Sequence, residues 1–164
     1  MARVEWVVSV VASALLLGGC GGGGGGGTTT INVPEGSVSP DQAVEVFMQS
    51  AQQAVNFRAV GELAAADKAY DRMAGVFGTE NGSISRSFPA QEVRDRMIVI
   101  AACLRPDAYR RLSQLDPDAQ RVGSTTVTVE LIRGTQKTML PFKLVLGRGD
   151  RWFVTQVDFS RFSC

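Results

Sequence analysis

The chain has 164 residues, with 17 basic and 16 acidic side chains and a formal net charge of +1. That balance offers no field for nucleic acid and no basic patch for acidic lipid headgroups. The sequence contains no histidine, which removes the commonest general base and the commonest metal ligand, and its three cysteines are too few for a structural zinc site. No metal and no cofactor is expected.

Residues 1–20 have the layout of an export signal. Arg3 gives a positive start, diluted by Glu5, and Val7 to Leu17 is apolar except for Ser9 and Ser13. This run is too short to span a bilayer, which takes about 20 residues. It ends in Leu17-Gly18-Gly19-Cys20, an aliphatic residue, two small residues and a cysteine. The tetrapeptide resembles the lipobox of bacterial lipoprotein signal peptides. The resemblance implies a signal peptide over 1–19, cleavage before Cys20, and diacylglycerol and then acyl transfer to Cys20. Each buried methylene of such an anchor contributes about 0.8 kcal/mol, and two or more chains hold stably where one does not. The location implied is the bacterial envelope, with Gly21 in the position compatible with outer-membrane sorting and a domain facing the periplasm. Residues 20–38 then form a flexible tether, with glycine at 21–27 followed by three threonines. As a random chain this tether sets the domain roughly 20–25 Å from the lipid.

The folded part is expected over 39–164. Ser39-Pro40-Asp41-Gln42 is a capping box with proline at the first helical position. Ala43, Phe47, Ala51, Ala54 and Val55 recur at helical spacing, so a first helix should run to about Phe57. Val60, Leu63, Ala66, Tyr70, Met73 and Phe77 mark a second, loosened from the first at Gly61. From Phe77 to Phe88 the pattern is irregular, with a turn signal at Asn81-Gly82 and no strand. A third helix starts near Pro89, with Val93, Met97, Ile100, Ala101 and Leu104 on its apolar face and Glu92 to Arg96 covering much of the other. Pro106 stops it. Residues 107–115 read as one or two further helical turns.

The period then changes from 3.6 to 2. Val127, Val129 and Leu131 alternate with polar residues, and Gly134-Thr135 suits a tight hairpin turn. Leu140, Phe142, Leu144 and Leu146 form the next strand, where Pro141 points to an edge or a bulge. Gly149-Asp150 makes another turn, which is why Arg148-Gly149-Asp150 reads as turn chemistry and not as an adhesion motif. The last strand, Arg151 to Phe159, places Trp152 and Val154 on one face and Phe153, Val157 and Phe159 on the other.

Helices followed by a meander of long strands ending in Gly-Asp-Arg-Trp-Phe-Val-Thr-Gln-Val-Asp-Phe resemble the NTF2-like (cystatin-like, SnoaL-like) superfamily. The likeness spans residues 40–160. It implies an α+β domain with N-terminal helices packed on a curved antiparallel sheet, forming a cone with a cavity. Tyr70, Phe77, Phe88, Trp152 and Asp158 are the candidate pocket residues. Enzymes of the superfamily use a pocket Asp, Tyr or His; here Tyr70, Asp67, Asp71, Tyr109 and Asp158 remain. Asp67 and Asp71 lie one helical turn apart on a solvated face, and Tyr70 falls on the apolar face, so no catalytic residue is assigned.

Cys103 and Cys164 remain after lipidation of Cys20. In an exported protein an even remainder suggests a disulfide; the alternative is a buried free Cys103 and a loose Cys164. Arg94, Arg96, Arg105, Arg110 and Arg111 cluster about the third helix, where nearby acids make them a solvated face. The functional expectation is a membrane-anchored, non-enzymatic binding or interaction module, as a homodimer through the sheet or with an envelope protein. The alternatives are a small-molecule carrier or weak lyase or isomerase, and a scaffolding subunit of an envelope complex. A cone plugged by Phe and Leu favours interaction or scaffolding; an open cone favours the carrier. Nucleic acid is not an expected partner.

Overall fold

The computed structural model describes residues 35–112, 118–160 and 164. The expected signal peptide, Cys20 and the glycine tether lie outside the described residues. Among the described residues no helix is long and apolar enough to cross a membrane. The architecture is α+β: helices α1 (Pro40–Ala59), α2 (Leu63–Gly75) and α3 (Ala90–Leu104) precede most of the sheet.

Helix α1 begins where the capping box places it. Ser39 Oγ accepts from Gln42 N at 3.2 Å, and Gln42 Oε1 accepts in turn from Val38 N at 3.3 Å, one residue earlier than the usual reciprocal bond. The helix buries Ala43, Val44, Phe47, Met48, Ala51 and Ala54. It turns at Gly61, whose φ of +80° is a left-handed conformation that glycine adopts without Cβ strain. Helix α2 returns with Ala66, Ala69, Tyr70, Met73 and Ala74 inward, and its alanines let the two backbones approach.

The segment after α2 is more ordered than its sequence pattern suggests. Two short strands, β1 (Gly78–Thr79) and β2 (Gly82–Ser83), pair across the Glu80-Asn81 turn. A Cβ on Gly78 would collide with the Gly82 carbonyl, so only glycine allows this approach. The buried Ser83 hydroxyl donates to the Ala74 carbonyl at 2.9 Å and accepts from Ser85 N, starting a 3-10 turn at Ile84–Arg86. The expectation of no strand between the second and third helices is therefore corrected: a two-rung hairpin sits there.

Residues 107–112 do not form the helical turns expected over residues 107–115. The chain there forms strand β3 (Ala108–Arg111), paired with β4 (Ser124–Arg133); residues 113–117 lie outside the described residues. Ala and Arg favour a helix, but the tertiary pairing wins. Asp107 N donates to the Ile132 carbonyl and Asp107 Oδ2 accepts from Gly134 N at 2.6 Å, which fixes the register before β3 begins. One helical turn, α4 (Ala119–Val122), leads into β4.

Strands β4, β5 (Gln136–Gly147) and β6 (Arg151–Val157) form the meander, and the antiparallel sheet runs β3-β4-β5-β6. Pro141 is not on an edge strand, since β5 lies between β4 and β6. It is tolerated because it sits one residue past the last β5–β6 pair, Phe142 with Val157, where its carbonyl accepts from Asp158 N. Its missing N–H faces that same side, so the β4 ladder loses nothing. A register shift opposite Lys143 and Leu144 leaves Thr155 as an extra residue in β6. This bulge turns Val157 onto the face of Val154 and Phe142, correcting its expected place beside Phe153.

The outer edge of β6 is covered by two other segments of the chain, at Ser37 and at Val76 and Phe77. Ser37 and Trp152 exchange two backbone hydrogen bonds at 2.7 and 3.0 Å, and Val154 N donates to the Val76 carbonyl at 2.9 Å. Phe77 bridges Val154 in parallel. The fold thus begins before the expected boundary at Ser39. An edge closed in this way cannot recruit another strand along these residues. The opposite edge, β3, is only four residues long and carries two arginines.

Candidate functional site

The space between helices and sheet is occupied by side chains. Phe47, Met48, Met73, Met97, Leu104, Leu140, Phe142 and Trp152 are all fully buried there. The Phe47 ring lies 5.8 Å from both Phe77 and Phe142, the latter edge-on, a geometry that adds about 0.5–1.5 kcal/mol beyond area burial. Trp152 fills its place as an apolar slab, with its Nε1 buried and without a partner among the described residues.

The open apolar surface lies instead along the outside of α3. Residues 97–104 of this helix read Met-Ile-Val-Ile-Ala-Ala-Cys-Leu, without one charged or amide side chain. Successive residues sit about 100° apart around a helix, so one core cannot take them all. Met97, Ala101 and Leu104 go inward, Ile98 and Ile100 are half-buried, and Val99 is left 69% exposed.

Two adjoining depressions line this face and share Val99 and Ile100. The first, about 530 Å³, is walled by Phe77, Ile84 and Met97, with Glu92, Asp95 and Arg96 at its rim. The second, about 710 Å³, is bounded by Ala102, Cys103, Arg105, Arg133, Phe159 and Cys164. Cys103 and Cys164 are joined in a disulfide with their Cα atoms 4.9 Å apart, which holds the carboxy terminus against α3. The rim at the first end is stiffened by Arg96, which bonds Glu92 Oε1 at 2.6 Å and lies 4.0 Å over the Phe88 ring.

Of the sequence-derived pocket residues, Phe77 lines the trough and Phe88 stands beside it through Arg96. Tyr70 and Trp152 are core residues, 2% and 0% exposed. Asp158 is half-buried beyond β6, where its carboxylate accepts from Ser160 N at 2.9 Å. The structure therefore does not bring these five together. Asp67 and Asp71 both reach Arg94, at 3.3 and 3.5 Å, and so tie α2 to α3. The arginines about α3 are largely paired: Arg110 with the buried Glu130 at 3.1 Å and Arg111 with Asp41 at 3.2 Å. The sequence signal for the trough was the eight-residue apolar run itself, longer than one buried stripe needs.

One proton-bearing pair stands apart. Tyr109 Oη donates to Glu45 Oε1 at 2.8 Å, and Gln49 Nε2 donates to the same oxygen at 2.7 Å. Burial raises the Tyr109 phenol above its ordinary value, and the Glu45 hydrogen bond and charge raise it further. A phenol held protonated is a poor base, and neither residue lines the trough. The pair clamps β3 to α1, helped by Gln52 Nε2, which donates to the Pro106 and Asp107 carbonyls at 3.3 and 3.1 Å. Among the described residues no group of three or more Cys, Asp or Glu is placed to hold a metal ion.

Chemically, the trough can bury apolar surface between two charged ends. Its two cysteines are spent on each other, leaving no thiol there as a nucleophile. No protein-family model, no curated protein and no solved structure matches the chain.

Proposed function

We propose that the chain is a lipid-anchored bacterial envelope protein whose domain is a non-enzymatic binding module working through the outer face of α3. The observation that carries the binding part is the placement of apolar surface. The helix–sheet interior is filled by Phe47, Phe142, Trp152 and their neighbours, while Val99 stands 69% exposed in an apolar trough. A filled interior favours interaction over carriage of a small molecule. Full burial of an exposed valine or isoleucine contributes about 1.5–3 kcal/mol, so a few such side chains suffice for binding. The NTF2-like reading of the fold is supported by the element order, two helices, a short hairpin, a third helix and an antiparallel meander, with the chain after α2 running parallel to β6 at Phe77. The anchor reading rests on Leu17-Gly18-Gly19-Cys20 and the glycine tether that follows.

Two measurements on the full chain in cells test the two halves. Metabolic labelling with a fatty acid should mark the wild type and leave Cys20→Ala unlabelled and outside the membrane fraction; a labelled Cys20→Ala would remove the anchor reading. A photo-crosslinking amino acid in place of Val99 should give a discrete adduct in the envelope, and the same probe in place of Lys143, exposed on β5, should give none. Equal yields from the two positions would remove the trough reading.

A further inference from the structure

We infer that the partner of the α3 trough is a second copy of this chain, bound with the two α3 helices antiparallel about a two-fold axis near Ile100. The inference rests on the trough being the binding face and names its occupant from the charge pattern along that face.

The solvent stripe of α3 is Glu92, Asp95, Val99, Ala102 and, at the cap, Arg105, all exposed and spaced three or four residues apart. Two acidic groups therefore stand at its amino end, where Glu92 is paired with Arg96 and Asp95 is not; a basic group stands at its carboxy end, and only small or apolar side chains lie between Arg96 and Arg105. Asp95 and Arg105 are each five residues from Ile100, about 7.5 Å of helical rise on either side. A two-fold axis there brings Asp95 of one copy to Arg105 of the other, twice, and sets the two Val99 side chains beside each other. Both charges are available for this. Asp95 accepts a hydrogen bond from Gln91 at 2.9 Å, and neither Asp95 nor Arg105 has an ion pair among the described residues.

A parallel pairing would put like charges together. An isologous contact needs a patch complementary to itself under a two-fold rotation, and this stripe has that property. Ala102 lets the helix axes approach to the usual 8–10 Å. A single helix pair with flanking side chains buries less than a standard interface, so the association belongs to the transient class, on the order of micromolar.

The test extends the crosslinking at position 99 in the full chain. The adduct should run at twice the chain mass. Asp95→Arg or Arg105→Asp alone should lower its yield about tenfold by setting like charges opposite each other. The combined Asp95→Arg, Arg105→Asp chain restores opposite charges and should recover the yield to within about threefold. Both positions are exposed, and recovery in the combined chain also shows that neither change unfolds the domain. An adduct of any other mass overturns the homodimer while keeping the trough as a binding face. A double-mass adduct indifferent to the single charge reversals, or a combined chain no better than the singles, overturns the antiparallel geometry. No adduct at position 99 overturns both the inference and the binding reading beneath it.

Discussion

Helices α1 and α3 both lay one side against the core, and their other sides differ. The exposed positions of α1 before its last turn are Gln42, Gln49, Gln53 and Asn56. Three of its other polar groups find partners within the chain: Asp41 meets Arg111, Glu45 meets Tyr109, and Gln52 meets the backbone of residues 106 and 107. Helix α3 begins in the same manner, with Gln91, Glu92 and Asp95 outward. After Arg96, whose half-exposed side chain lies over Phe88, it offers solvent only Val99 and Ala102 up to its cap, with Ile98 and Ile100 half-covered. A polar outer face can be completed by water or by a strand of the same chain. An apolar one is completed only by something else, and α3 has no other element of the described chain across it.

The largest effect is expected in the core that the two helices share. Phe47 is the residue of α1 that touches both the sheet and the loop after α2, through Phe142 and Phe77. Phe47→Ala should cost about 3–5 kcal/mol, read as a fall in the urea midpoint with an unchanged slope. The disulfide comes next. Cys103 and Cys164 are 61 residues apart in sequence, and closing a loop of that length stabilises by at most about 4 kcal/mol in the chain-entropy model. Cys103→Ser with Cys164→Ser should lower stability toward that figure. The double change also releases the carboxy terminus from the second depression, so it should reduce crosslinking at position 99 while leaving α1 and its clamp to β3 intact by hydrogen exchange.

What was legible in the sequence follows from which forces are local. The cap at Ser39, the 3.6 period of α1 and α2, the turn at Gly134 and the alternation in β4 and β5 depend on neighbours a few residues away, and each stands close to its expected place. The strand at Ala108–Arg111 was not legible because its residues prefer a helix and are overruled by pairing with β4, some twenty residues onward. The face of Val157 was missed because one extra residue at Thr155 reverses the alternation, and no sequence pattern marks it. Pro141 misled for a related reason: its exclusion from central strands applies to a bonded N–H, and the ladder with β6 ends one residue before it is needed. For the site, the apolar character of residues 97–104 was plain, but assigning one face to the core hid how much was left over.

A smaller effect separates the clamp of α1 from a catalytic pair. The Tyr109 phenol is raised above its ordinary value of about 10 by burial first, then by Glu45. The folded state therefore holds this proton more tightly than the unfolded chain. The associated stability is fully present below about pH 10 and is lost as pH rises toward and through the folded value. Tyr109→Phe removes this alkaline dependence. The wild type should lose more of its denaturation midpoint between pH 9 and pH 11, values chosen about one unit either side of the free phenol, than the variant does. Equal losses would mean that Tyr109 is solvated and that β3 is held by its ladder alone.

The least expected change in stability bears most on function. Val99→Ser replaces two methyl groups with one hydroxyl on a side chain already 69% exposed, so stability should move by no more than about 0.5 kcal/mol. If α3 were merely an over-apolar helix, nothing further would change. If its outer face is a seam, the same substitution removes apolar contacts at the centre of the patch, where truncation has the largest effect on binding. Self-association should then weaken by several-fold, on the order of 1 kcal/mol, at constant fold. A variant that leaves both stability and association where they were would return α3 to the class of α1, with an outer face that asks for no partner.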